Sequence, residues 1–136
     1  TEEQDRLLQK AISREAWIVE GVFGRLIEMI LPRATHLVWM DLPWDCCRKG
    51  IVARHEKQGR SGVKLIAWAE QYWEREGRTS HSGHHAVFLS FAEERRLRFT
   101  SWAEADEGLI NGTGARSDRG FFRGQSGDTR DHPGAG

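Results

Sequence analysis

His36-Leu37-Val38-Trp39-Met40-Asp41-Leu42-Pro43 is the stretch on which the fold turns. Its apolar residues follow one another without a polar break, and the run stops at an acid and a proline. A continuous apolar run of this length fits a strand covered on both faces, as in a parallel sheet. Pro43 then suits the start of a helix, where its missing N–H has no partner to lose. Upstream, Trp17-Ile18-Val19 is a shorter run of the same kind, halted at Glu20-Gly21. A short helix from about Arg25 to Leu31, closed by Pro32, lies between them. Two buried strands joined through a helix make a βαβ unit, almost always right-handed, so the fold class expected is α/β.

Working outward, residues 1–12 read as an amphipathic helix. Thr1 and Gln4 have capping-box spacing, and Leu7, Leu8, Ala11 and Ile12 form a stripe. Beyond Pro43 a helix is expected to about Gln58, with Trp44, Cys47, Ile51 and His55 on one face. Gly59-Arg60-Ser61-Gly62 is a basic, flexible link, and residues 63–76 carry the clearest helical pattern through Leu65, Ile66, Ala69, Tyr72 and Trp73. A loop is expected over Thr79–Gly83, then a helix through Val87, Phe88 and Phe91. Arg96-Leu97-Arg98-Phe99 alternates like a strand, and Ser101 with Glu104 caps a last helix to Leu109. From Asn111 to Gly136 there are seven of the 15 glycines and no aliphatic side chain larger than alanine. Such a segment buries too little to offset its ordering entropy, so residues 111–136 are expected to be a disordered tail behind one domain, 1–110.

Composition narrows the function classes. The 20 basic and 20 acidic residues cancel, which argues against a general nucleic-acid binder or an anionic-membrane binder. No apolar run approaches the ~20 residues that cross a bilayer. The N-terminus is no signal peptide, and Thr1 points to a chain that begins inside a longer frame. The only cysteines, Cys46 and Cys47, are adjacent and poorly placed for a disulfide, so a reducing, cytoplasmic setting is expected.

Two constellations could carry chemistry. Glu20 and Asp41 end the two apolar strands, and in an open parallel sheet ligands bind outside the carboxyl ends of the strands. Carboxylates there suit a phosphate-bound Mg²⁺ or its waters; the plain alternative is two acids ending strands at the surface. Arg25, Arg48, Arg54 and Arg60 follow those strand ends, and guanidinium groups match phosphate oxygens. A solvated helix face is the alternative there, and for Arg48 alone the better one. His81, His84 and His85 with Cys46 or Cys47 lack the paired spacing of a closed zinc site and read as loop and helix-surface histidines. A Cys–His nucleophile has nothing to orient it, and Cys47 reads as core. Trp68, Tyr72 and Trp73 could stack a base but are spaced like core residues.

Read in order, W-I-V-E-G-V-F-G-R, H-L-V-W-M-D-L-P-W-D-C-C-R-K-G-I-V-A-R, A-W-A-E-Q-Y-W-E-R, S-H-S-G-H-H-A-V-F and R-L-R-F-T-S-W-A-E-A-D resemble the adenylate-kinase-like P-loop kinases. The bacterial topology-modulation-protein group is nearest, over roughly Glu2 to Leu109. The resemblance implies a three-layer α/β P-loop NTPase sheet flanked by helices, lacking its first strand, P-loop and first helix. It implies ATP as cosubstrate, Mg²⁺, and a nucleotide or other small molecule as phosphate acceptor. It places Glu20 near the metal, Arg25 on the acceptor phosphate, Asp41 at the strand end leading to the lid, Arg54 at the lid entry and Arg60 within a lid-like segment of about 55–80. Many relatives have Asp in place of Glu20, and Gly50 stands where a further lid arginine is common. The loop G-x-x-x-x-G-K-[ST] that cradles phosphates does not occur, since the chain has no Gly-Lys pair; its place is expected before Thr1. The expectation is a partial phosphotransferase without turnover of its own. The competing expectation is a non-catalytic remnant or interaction module, in which an exposed sheet edge invites an oligomer.

Overall fold

The computed structural model describes residues 1–22, 24–113 and 120–123, with side chains to residue 109. It divides into two compact units, residues 1–35 with 115–136, and residues 36–114.

In the first unit α1 spans Glu2–Ile12, opened by the expected capping box. Gln4 N–H donates to Thr1 Oγ1 at 3.2 Å, and the Thr1 amine donates to Gln4 Oε1 at 3.0 Å. Leu8 and Ile12 are buried against Ile30, with Trp17, Val19, Leu26, Met29 and Ala34 packed around them; Leu7 of the expected stripe is exposed. β1 is Trp17–Glu20, as expected. The next helix is shorter than the sequence implied: α2 covers Ile27–Ile30 only, followed by a 3₁₀ turn at Leu31–Arg33. Pro32 has no N–H to continue the ladder, so the chain tightens instead. β1 pairs in parallel with β4 (Gly120–Arg123), Trp17 opposite Gly120 and Glu20 opposite Arg123. A strand thus stands within the segment read as a tail; residues 114–119 and 124–136 of that expectation lie outside the described residues.

The second unit is built on β2 (Leu37–Met40) and β3 (Arg96–Phe99), paired in parallel with Trp39 opposite Arg98 and Met40 opposite Phe99. Between them run α3 (Trp44–Lys57), α4 (Val63–Glu70) and α5 (His81–Ser90), and α6 (Trp102–Thr113) follows. Side chains alternate across a strand, so Trp39 and Arg98 share one face, and Met40 and Phe99 the other. α5 lies on the first face, where the Trp39 ring meets those of His81, His85 and Phe88 at 5.0, 5.8 and 5.7 Å. α6 lies on the second, so close that a Cβ on Gly108 would come within 2.5 Å of the Phe99 ring.

Several boundaries differ from the sequence reading. Pro43 is the extended residue before α3 rather than its first turn (ψ 156°). The pattern over 63–76 breaks after Glu70 into a 3₁₀ turn, Gln71–Trp73. α5 begins inside the expected loop, because the buried Ser80 hydroxyl accepts from Gly83 N–H at 3.0 Å and caps it. Ser101 caps α6 as expected, accepting from Glu104 N–H at 3.1 Å, and α6 runs on to Thr113.

Helices and parallel strands therefore make up both units, in the α/β sense. The single βαβ sheet expected from the two apolar runs is corrected: β1 hydrogen-bonds to β4, and β2 to β3.

Candidate functional site

The carboxyl end of β2 concentrates the polar chemistry of the second unit. Asp41 extends the ladder by one residue, its N–H donating to Phe99 O at 2.8 Å, which fixes its side chain beside the end of β3. The carboxylate is only 7% exposed, yet both oxygens have cationic or histidine partners. Nε2 of His81 lies 3.1 Å from Oδ1. Arg98 donates Nε–H to Oδ2 at 2.9 Å, and a second donor, Nη2, to the same oxygen. A buried carboxylate tolerates desolvation only with such charge-assisted partners. The Arg98 guanidinium also lies over the Trp39 ring, 5.0 Å from its centroid, which holds its fork in place.

An aromatic wall surrounds His81. Besides Trp39, its ring meets Tyr72 edge-on at 5.6 Å and Trp73 in a stacked sense at 6.5 Å. Tyr72 Oη and His84 Nδ1 are 2.8 Å apart, a hydrogen bond between the phenol and the imidazole. Burial pushes Tyr72 up to about 12, with a hydrogen bond from Trp39 opposing the shift and the charge of Asp41 adding to it. Burial also pushes the Cys47 thiol up, helped by Cys46 and then Asp41, and the thiol donates to Leu42 O at 3.6 Å. Cys47 therefore stays a protonated thiol at neutral pH. Below this cluster Arg75 ties the α4–α5 connection, donating to Trp68 O at 2.6 Å and to Thr79 O at 3.2 and 2.8 Å, with its guanidinium over the Trp68 ring.

The residues singled out by sequence distribute unevenly. Asp41 is at the centre of this cluster, but as the anchor of two side chains rather than a bare strand-end acid. Arg48, Arg54 and Arg60 are exposed on and just after α3. Six residues at about 3.6 per turn put Arg48 and Arg54 roughly 120° apart, so they do not share a face. Glu20 and Arg25 belong to the first unit. Glu20 is exposed at the end of β1, and Arg25 makes a two-pronged pair with Asp5 at 3.1 and 2.8 Å, holding that carboxyl below its usual range.

The sequence reading set aside His81 as a surface histidine and Tyr72 as core, and did not single out Arg98 or Trp39 as site residues. The strand alternation that put Arg98 near a strand end was visible; its register against Trp39 was not. Among the described residues no group of three or more His, Cys, Asp or Glu is arranged to hold a metal ion, and no helix is long and apolar enough to cross a membrane. No family model, no curated protein and no solved structure matches the chain.

Proposed function

We propose that this chain is part of an adenylate-kinase-like phosphotransferase, and that its second unit binds a phosphorylated small molecule at the carboxyl ends of β2 and β3. The observation that carries the reading is the buried Asp41 carboxylate holding Arg98 and His81 at the end of a parallel strand pair, the edge where α/β sheets take ligands. α3 starts three residues later and brings Arg48, Lys49, Arg54 and Lys57, followed by Arg60. Phosphoryl transfer asks mainly for positioned positive charge of this kind. Arg98 offers an exposed guanidinium edge pre-set by Asp41 and Trp39. Arg54 and Arg60 supply further charge from the helix and its following link.

The described donor set does not fit a resident Mg²⁺. Asp41 has both oxygens committed to other side chains, and no metal-holding group is assembled. The proposal therefore rests on side-chain charge alone. The donor-phosphate cradle G-x-x-x-x-G-K-[ST] is not in these 136 residues, so weak ATP binding and no turnover are expected of the chain by itself.

Titration with a fluorescent ATP analogue tests the reading. Saturable binding that is lost in Arg54→Ala supports it, and absence of saturable binding sinks it. Turnover of ATP by the purified chain would overturn the claim that the absent loop is essential. A second reading, an interaction module that binds no nucleotide, is favoured by one observation. Val38 and Leu97 face each other across the β2–β3 ladder and remain 39% and 36% exposed, where a parallel pair normally covers both faces. A stable oligomer by light scattering, with no nucleotide binding, selects that reading.

A further inference from the structure

The second ring nitrogen of His81, Nδ1, has no role in the phosphotransferase reading. Nε2 of the ring is tied to Asp41 Oδ1; a carboxylate oxygen only accepts, so in the neutral imidazole the proton sits on Nε2 and the lone pair on Nδ1. Nδ1 makes no hydrogen bond among the described residues, and it is not a buried orphan; the one such side-chain atom is Nδ1 of His55. Nδ1 of His81 therefore meets solvent, on a side chain that is 29% exposed. Trp39, Tyr72 and Trp73 restrict the ring's swing, and Arg98, 45% exposed, occupies the other oxygen of the same carboxylate. An imidazole with one nitrogen on a carboxylate and the other open has the parts of a phosphoryl-accepting nucleophile.

We propose that His81 is a phosphoryl-acceptor site, taking a phosphoryl group on Nδ1 from small phosphoramidate or acyl-phosphate donors. With phosphoramidate as donor, the Nδ1 lone pair forms the N–P bond while the donor's P–N bond breaks, and ammonia leaves with that electron pair. The ring keeps its Nε2 proton and becomes a cation, and that positive charge faces Asp41 Oδ1. The step needs neither ATP nor a P-loop, so it stands independently of the phosphotransferase reading. Asp41 acts here as a positioning residue.

The test is incubation of the full 136-residue chain with phosphoramidate, followed by peptide mass mapping and phosphorus NMR. The chain has six histidines, which react side by side and serve as internal references. The expected result is acid-labile phosphate on His81 at a rate at least about tenfold above His36, abolished in His81→Gln. In Asp41→Asn the rate at His81 should fall to that of the other histidines while far-UV circular dichroism and the Tyr72 absorbance stay those of the folded chain, which separates the effect from general loosening of the fold. An even spread of label over the histidines, or label on His84 or His85 in preference, overturns the proposal. So does full retention of the His81 preference in Asp41→Asn.

Discussion

Alkaline titration of Tyr72 probes the cluster most directly, because Tyr72 is the only tyrosine in the chain and its phenolate absorbance can be read without assignment. An ordinary phenol ionises near 10, whereas burial pushes Tyr72 up to about 12. Ionisation would cost the hydrogen bond to His84 Nδ1 and place a second negative charge near Asp41. Two units correspond to about 3 kcal/mol between the neutral and ionised forms, and since the ring is only half-buried the part felt as stability is about 1–2 kcal/mol. The sign follows from the direction. The neutral phenol is favoured in the folded chain, so this contribution is fully present below pH 10 and is lost as pH rises through 10 towards 12. Near-UV absorbance should therefore rise with a midpoint close to 12 while far-UV circular dichroism still reports the folded state, and return to near 10 in denaturant. Asp41→Asn, which removes a charge that raises the folded midpoint, should lower it, by less than burial raises it. A folded midpoint near 10 would mean that the hydroxyl faces water, and the whole Tyr72–His84–Asp41 arrangement would be refuted.

Asp41→Asn should destabilise the second unit by about 1–3 kcal/mol in urea titration. That is less than the loss for a fully buried pair because Arg98 and His81 can rehydrate; a double-mutant cycle with Arg98→Met should recover a coupling above about 0.5 kcal/mol. Gly83→Ala should be severe, because its Cβ would sit 2.1 Å from Gly77 O and push α5 off its Ser80 cap. Gly50→Ala, with nothing within 4 Å, should instead raise stability by up to about 1 kcal/mol, both read from melting temperature. Arg75→Met should remove the side-chain donor to Thr79 O and to Trp68 O, the latter keeping Gln71 N–H, and cost about 1–3 kcal/mol, with hydrogen exchange accelerating first in the α4–α5 connection.

What was legible in the sequence was whatever depends on neighbours in the chain. The apolar runs that became β1 and β2, the Thr1–Gln4 box and the Ser101 cap are all local signals, and each formed where its residues stand. The misplaced features depended on partners distant in sequence. Nothing in Trp17-Ile18-Val19 says whether it pairs with the strand after it or with residues 120–123, because an apolar strand specifies burial but not a neighbour. The start of α5 was missed because the Ser80 cap has no acid three residues on to advertise it. The site was half legible for the same reason. Asp41 stood out as an acid ending a strand, whereas Arg98 and His81 reach it from 57 and 40 residues away.

Stability alone is a weak explanation for that arrangement. A buried carboxylate with two cationic or titratable partners is commonly no better, and often worse, than apolar side chains of the same shape, because desolvation offsets the attraction. The surroundings here already contain the apolar alternative: Trp39, Phe88, Trp73 and Tyr72 pack against the same side chains. What Asp41 gives that a leucine would not is direction. It engages Nε2 of His81, and it holds the fork of Arg98 over Trp39. Both of those side chains remain partly exposed while the carboxylate does not, so one buried charge orients two partly exposed groups. Preorganised donors and a fixed tautomer are what recognition or transfer of a phosphoryl group requires. On the proposed reading, the end of β2 takes the ligand through Arg98 and His81, and the oxygens of Asp41 need not touch it.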